Sequence, residues 1–246
     1  MLQTEFKAAC ILSAIIALLA LVASAGGLFL KGLYRDNAWV TPQLQGGDLV
    51  TLVVAVPLLI ASLIGSMRGS PRAQLIWIAM LGYMLYNYAF YLFAAAFNVF
   101  FLIYVALFSL PIFALISALA RMDVDAIGRQ FRAATPVKWI SAYMLFFAFV
   151  LGGMWIAQTL GFVASGKVPQ VILDSGQSTS IVFALDLSLL VPGLVLGAIL
   201  LWQRRSWGYL LAAVMMIKAT TYALALIAMG AFSASVSGSW EPLVVL

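Results

Sequence analysis

Lys218 and Asp186 are the residues whose positions most suggest chemistry, because each stands inside a long apolar run. A charge at the centre of a membrane costs at least ~2.5–3.5 kcal/mol, so such charges usually mark ligand sites or proton relays. A short turn joins the two runs, which are therefore expected to be antiparallel neighbours. This predicts a direct or water-bridged Lys218–Asp186 pair; the alternative is a buried pair that only fixes helix register.

Uncharged polar residues at mid-depth extend this candidate site. Asn87 lies near the middle of another apolar run, and Tyr83 precedes it by one helical turn. Two interpretations stay open: ordinary hydrogen bonds between helices, or the polar wall of a ligand site. The predicted ligand-binding residues are Lys218, Asp186, Asn87, Tyr83 and Thr221.

The residue inventory argues against catalysis. The chain has no histidine and one cysteine, which excludes a His-ligated haem, a His-based zinc site and a Cys-x-x-Cys pair. An intramembrane aspartyl protease needs two carboxylates that share a proton. We assign Gly46-Gly47-Asp48 to a turn before a helix, which leaves Asp186 as the one aspartate clearly inside a run. We therefore expect no enzyme, no metal and no cofactor.

The elements that position these residues are expected to be membrane-spanning helices. Of the 246 residues, 65% are hydrophobic and 9% charged, whereas a soluble domain has roughly 45–50% apolar and about 25% charged residues. About 20 apolar residues cross a membrane. The sequence predicts an all-α, polytopic integral membrane protein whose spans one to seven cover 8–30, 49–67, 74–96, 99–120, 139–162, 181–202 and 208–233.

The basic residues predict the orientation of these spans. Cytoplasmic loops of membrane proteins are enriched in lysine and arginine. We therefore predict that the side richer in these residues, which includes the N-terminus, is cytoplasmic and that the C-terminus is outside. We expect the protein to lie in the cell membrane. The net charge of +5 then needs no nucleic-acid partner. The richer side holds Lys7, Arg68, Arg72, Arg121, Arg129, Arg132, Lys138, Arg204 and Arg205, and the other side holds Lys31, Arg35 and Lys167.

We treat residues 1–246 as a single transmembrane domain. Its parts are a first helical triplet (1–96), a linker helix (97–120), a cytoplasmic loop (121–138) and a second triplet (139–246). In the loop, Asp123 is expected to cap a short helix whose Val124, Ile127 and Phe131 recur at helical spacing. Flanking arginines favour an interfacial helix there.

Spans one to three and spans five to seven share a plan, which favours an internal repeat over chance similarity. An odd linker returns the chain to the same side, so the two triplets of this 3+1+3 arrangement would be parallel. The shared features are the pairs Gly26-Gly27 and Gly152-Gly153, Pro42-Gln43 and Pro169-Gln170 in outside loops, and Asp48 with Pro57 and Asp186 with Pro192.

The plan resembles two known families. The 3+1+3 order and the Pro-Gln pairs are similar to the sugar-transporting SWEET family, although there the pairs lie in the first helix of each triplet and the N-terminus is outside. Seven helices with Lys218 in the last resemble a microbial rhodopsin, in which that lysine holds retinal. Here the third span has no carboxylate, and Val214 stands one turn before Lys218.

These observations favour a small-solute transporter or carrier with a polar site between the two triplets. The first alternative is a membrane binding or accessory protein that transports nothing, and a minor one is a retinal-binding protein. We expect the protein to lie in a lipid bilayer, to bind a small polar or anionic solute and to have no nucleic-acid partner. Whether it forms a homo-oligomer stays open.

The orientation can be tested by cysteine labelling. In a Cys10→Ser background, we expect Lys167→Cys in intact cells to react with a membrane-impermeant maleimide. Arg204→Cys should react only after the membrane is opened. The opposite pattern would reverse the assigned orientation.

Overall fold

The computed structural model describes the backbone of residues 4–237 and the side chains of residues 7–236, and this part is helical without strands. The predicted places of the two termini fall outside these residues. The helices are α1 (Thr4–Phe29), α2 (Thr41–Val50), α3 (Val56–Met67), α4 (Pro71–Phe93), α5 (Phe101–Leu119), α6 (Val124–Gly128), α7 (Val137–Ser165), α8 (Gln170–Ser175), α9 (Ile181–Leu185), α10 (Val191–Trp202) and α11 (Ser206–Ser237), with π-helical segments at Thr51–Ala55 and Asp186–Leu190.

Within the described residues, seven helices are long and apolar enough to cross a membrane, which agrees with the predicted number of spans. Span two runs from α2 through the first π segment to α3, and span six runs from α9 through the second π segment to α10. The other spans are single helices. The spans are Lys7–Phe29, Thr41–Met67, Pro71–Phe93, Phe101–Leu119, Val137–Ser165, Ile181–Trp202 and Ser206–Val236.

Span two begins earlier than predicted, so the assignments of Gly46-Gly47-Asp48 to a turn and of Pro42-Gln43 to a loop are wrong. The Asn37 side chain accepts a hydrogen bond from the Val40 N–H at 2.9 Å, and Pro42 occupies the first turn of the helix. Proline suits this position because the first helical N–H groups have no partner within the helix. The helix therefore starts eight residues before the predicted boundary at residue 49.

The two glycines serve close packing inside this helix. A Cβ on Gly46 would overlap the backbone of span seven at Met229 and lie 2.7 Å from the Ala228 carbonyl carbon. A Cβ on Gly47 would lie 2.9 Å from the Tyr91 hydroxyl oxygen. Small residues let membrane helices approach to backbone contact. From the sequence alone, a glycine pair at such a helix contact cannot be distinguished from a glycine pair in a turn.

The structure divides into two compact units, 1–122 with 217–246, and 123–216. In the first unit α1 packs on α2, α3 and α5, and α4 packs on α3 and α5. Span three is the most buried of the seven and carries the polar residues of this unit. The boundary differs from that of the predicted triplets, because residues of span seven from 217 onward belong to the first unit.

In the second unit α7 packs on α10. Its core contains Met144 and Ala148 of α7 with Leu194 and Ala198 of α10. The predicted short helix follows Asp123, whose carboxylate accepts from the Ala126 N–H at 2.8 Å. Two of the three residues of its apolar stripe, Val124 and Ile127, are buried in the protein, and the third, Phe131, stacks on Tyr209 at a centroid distance of 4.7 Å. That the helix also contacts lipid stays a prediction.

Spans two and six have the same unusual local plan. Each contains a π segment of five residues followed by Val-Pro at the start of a helix of twelve residues. Each then ends in the same turn, in which Ser70 N–H donates to Gly65 O and Arg205 N–H donates to Leu200 O. The residue before each donor has positive φ, +80° for Gly69 and +55° for Arg204.

Replacing Gly46 with alanine should lower the free energy of unfolding by about 1–3 kcal/mol, the usual cost of forcing an extra carbon into a packed site. Thermal unfolding in detergent measures this. Gly82→Ala is the matched control, because a Cβ on Gly82 meets nothing within 4 Å. Equal melting temperatures for the two variants would contradict the close contact at Gly46.

Candidate functional site

Lys218 is buried between two aromatic rings of the first unit. Its Nζ lies 3.5 Å from the centroid of the Tyr86 ring and 5.2 Å from that of Tyr222. The two rings meet edge to face, with centroids 5.7 Å apart, and Lys218 is 7% exposed. A desolvated cation–π contact contributes about 2 kcal/mol, which offsets part of the cost of an ammonium at this depth.

A row of polar side chains lies between spans two and three of the same unit. Asn87, which follows Tyr86 in the chain, has its Nδ2 3.5 Å from Thr51 Oγ1. The Thr51 hydroxyl is also hydrogen-bonded to the Tyr83 hydroxyl at 3.1 Å. Thr51 is the first residue of the first π segment, and π segments often occur at functional sites.

The structure thus brings three of the five predicted residues into one unit's polar interior: Tyr83 and Asn87 share Thr51, and Lys218 contacts the residue next to Asn87. Thr221 is in the same unit, and its hydroxyl donates to the Ile217 carbonyl of its own helix at 3.0 Å. Its oxygen still has a lone pair for a ligand.

Asp186, the fifth predicted residue, belongs to the second unit. Its Oδ2 accepts a hydrogen bond from Trp155 Nε1 at 2.9 Å, and the Trp155 ring stacks on Phe183 at a centroid distance of 4.2 Å. Phe183 lines a cavity of about 430 Å³. This cavity has hydroxyls from Thr159, Ser178, Thr179 and Ser180 on otherwise apolar walls.

Sequence reasoning missed a second buried carboxyl, Asp48 of span two, which is 1% exposed. Its Oδ2 accepts a hydrogen bond from the Tyr34 hydroxyl, and its Oδ1 lies 3.2 Å from the Tyr91 hydroxyl oxygen. Tyr91 also donates to the Leu44 carbonyl at 2.8 Å. Because Gly46-Gly47-Asp48 was assigned to a turn, Asp48 was placed outside the span. Pro42, a typical residue of the first helical turn, is the sequence signal that indicates an earlier helix start.

More tyrosines surround this carboxyl. The Tyr91 ring lies 5.4 Å from that of Tyr88 and 5.5 Å from that of Tyr104, centroid to centroid. All three rings are buried. The carboxyl therefore sits in an aromatic shell that excludes water and offers hydroxyl groups as its polar neighbours.

Hydrogen bonds of Asp36 fix the position of the loop that carries Tyr34. The Asp36 carboxylate accepts from the Ala96 N–H at 2.9 Å, and its carbonyl accepts from the Thr41 hydroxyl at 3.1 Å. Burial raises the pKa of Asp36, and the Ala96 N–H offsets part of that rise. Burial and the Asp48 carboxyl raise the pKa of Tyr34, so Tyr34 stays a protonated donor.

No family model, curated protein or solved structure significantly matches this chain. Seven apolar helices indicate the class, a multi-pass membrane protein.

Asp36→Asn should stabilise the protein at neutral pH. The second Asp36 oxygen is buried without a hydrogen-bond partner, and leaving a buried charged group unsatisfied costs at least about 1 kcal/mol, which the neutral amide of asparagine avoids. Because burial raises the pKa of Asp36 in the folded protein, the cost of this charge is absent below the ordinary pKa of 3.8, grows as pH rises from there to the folded pKa, and is complete above it. The melting-temperature gain should therefore shrink on acidification. A gain independent of pH would contradict this account.

Proposed function

We propose that this chain is a carrier of a small polar or anionic solute, with its binding site around Lys218. The observation that carries the proposal is the Lys218 ammonium, buried 3.5 Å above the Tyr86 ring. It lies ~18 Å from the start of its helix at 1.5 Å rise per residue. An intramembrane charge marks a functional site by default. An ammonium is complemented by a carboxylate or carbonyl oxygen, which favours an anionic or carbonyl-bearing solute.

The polar row between spans two and three supports a polar ligand. Asn87, Thr51 and Tyr83 are all buried, and together they offer amide and hydroxyl donors and acceptors. Hydrogen bonds between membrane helices average only ~0.6 kcal/mol, so packing alone gains little from such a row. Binding a solute that needs orientation is a stronger reason for it.

The parallel between spans two and six supports a repeat as part of this proposal, in a register that matches the two prolines but not the Gly-Gly, Pro-Gln and Asp pairs named in the sequence analysis. The two π segments, the two prolines and the two turns match at one constant offset, and both following helices continue without interruption. The same offset relates Lys218 to Tyr83 and Asp186 to Thr51. The matching positions are Thr51 and Asp186, Pro57 and Pro192, Gly69 and Arg204, and Tyr83 and Lys218.

The proposed topology keeps the N-terminus in the cytoplasm of a cell-membrane protein. It is supported by the uneven distribution of lysine and arginine between the two sets of loops. The alternative function is a non-transporting binding or accessory protein. Lys218 and Asp186, with their aromatic partners, would then contribute to packing alone.

Flux into proteoliposomes tests the carrier proposal, with labelled acetate, lactate and succinate as probes. We expect Lys218→Ala to abolish uptake of the transported probe, because the buried cation that complements its carboxylate is lost. Asp186→Asn should reduce uptake in the same assay. Lys138→Ala is the matched control, since it removes a positive charge from an exposed position and should leave uptake unchanged.

The outcomes separate the candidate functions. If neither variant alters probe binding or flux but both lower the melting temperature, the carrier proposal fails and the accessory protein stands. If added retinal gives visible absorbance in the wild type and none in Lys218→Ala, the retinal-binding alternative stands.

A further inference from the structure

Two tyrosine hydroxyls reach the Asp48 carboxyl. The Tyr91 hydroxyl lies 2.8 Å from the Leu44 carbonyl oxygen and 3.2 Å from Asp48 Oδ1, and it can donate its proton to either. On the other side, Tyr34 donates to Oδ2, as it would to the carbonyl oxygen of a carboxylic acid.

The surroundings of Asp48 favour the neutral acid. The ionisable side chains that interact with it come from the 30–40 loop, from span three and from span four, and all are tyrosines. Tyrosine is neutral at physiological pH, so among the described residues no cation holds a negative charge on this carboxyl. These side chains are Tyr34, Tyr83, Tyr88, Tyr91 and Tyr104.

Glycines make room for this arrangement. A Cβ on Gly27 of span one would overlap the Asp48 carboxyl and the Tyr34 hydroxyl. A Cβ on Gly47 would lie 2.9 Å from the Tyr91 hydroxyl. Both hydrogen bonds of the carboxyl therefore depend on backbone positions that carry no side chain.

We propose that Asp48 is a proton-binding site, connected through Tyr34 to the side of the membrane on which the 30–40 loop lies, and that it supplies the proton to which transport is coupled. The coupling role rests on the carrier proposal, whereas the proton site stands on its own geometry.

The path of the proton follows from the donors and acceptors. When Asp48 is ionised, the Tyr34 hydroxyl proton moves to Oδ2 while the Tyr34 oxygen takes a proton from water at the loop; release is the reverse. Tyr34 is only partly buried, which gives it access to that water. The route through Tyr91 ends at the Leu44 carbonyl, which has no proton to pass on. Exchange is therefore one-sided in this conformation.

Infrared spectroscopy of the purified protein in lipid tests the proton site. We expect a carboxylic-acid carbonyl band at neutral pH that disappears in Asp48→Asn, stays in Asp186→Asn and shifts in heavy water. Tyr34→Phe should slow that isotope shift. Asn reproduces the donor and acceptor of a protonated acid, so Asp48→Asn should keep its melting temperature. A carbonyl region identical in wild type and Asp48→Asn would show an ionised Asp48 and overturn the proposal.

Proteoliposomes test the coupling role with the carboxylate probe that the wild type transports. In Asp48→Asn, uptake driven by a pH gradient should be lost, while exchange of probe without a gradient persists. Gradient-driven uptake equal to the wild type would overturn the coupling role. No uptake by the wild type would overturn the carrier proposal and coupling with it, and the infrared band would still decide the proton site.

Discussion

Every polar group within a membrane span has to find its partner inside the protein, because the hydrocarbon offers none. In this chain tyrosine meets much of that requirement. Tyr86 and Tyr222 face the Lys218 ammonium with their rings, and Tyr34 faces the Asp48 carboxyl with its hydroxyl. One residue type therefore accommodates both a buried ammonium and a buried carboxyl, since a phenol presents an electron-rich face and a polar O–H on the same side chain.

The two buried aspartates are held differently. Asp186 accepts a hydrogen bond from the indole N–H of Trp155, which can only donate. Asp48 accepts from the Tyr34 hydroxyl and lies 3.2 Å from the Tyr91 hydroxyl oxygen, and a hydroxyl can both donate and accept. The hydroxyl partners of Asp48 can therefore give and take a proton, whereas the indole cannot, and burial is nearly complete for both aspartates.

The number of spans and the depth of Lys218 could be predicted from the sequence, because hydropathy and the position of a charge within a run are local properties. The contact between Lys218 and Tyr86 could not, since no local rule favours Tyr86 over the other tyrosines of span three. Asp48 was lost for a different reason. The sequence Gly46-Gly47 is compatible both with a turn and with close packing against a neighbouring helix. The contact between Gly46 and Met229, which shows that the second is the case, joins residues far apart in the sequence.

The first π segment has a geometric consequence for span two. An α-helix turns by about 100° per residue, so one surplus residue between α2 and α3 rotates everything before it by about that angle relative to everything after it. Asp48 lies before the surplus, and the buried Leu59 and Leu63 lie after it. The carboxyl can thus point into the aromatic shell while the apolar face of α3 keeps its own direction. Deleting one residue within 51–55 would restore a regular α-helix and rotate the Asp48 face by about 100° relative to the face of Leu59 and Leu63. One extra residue therefore lets the polar and apolar faces of this span point in different directions.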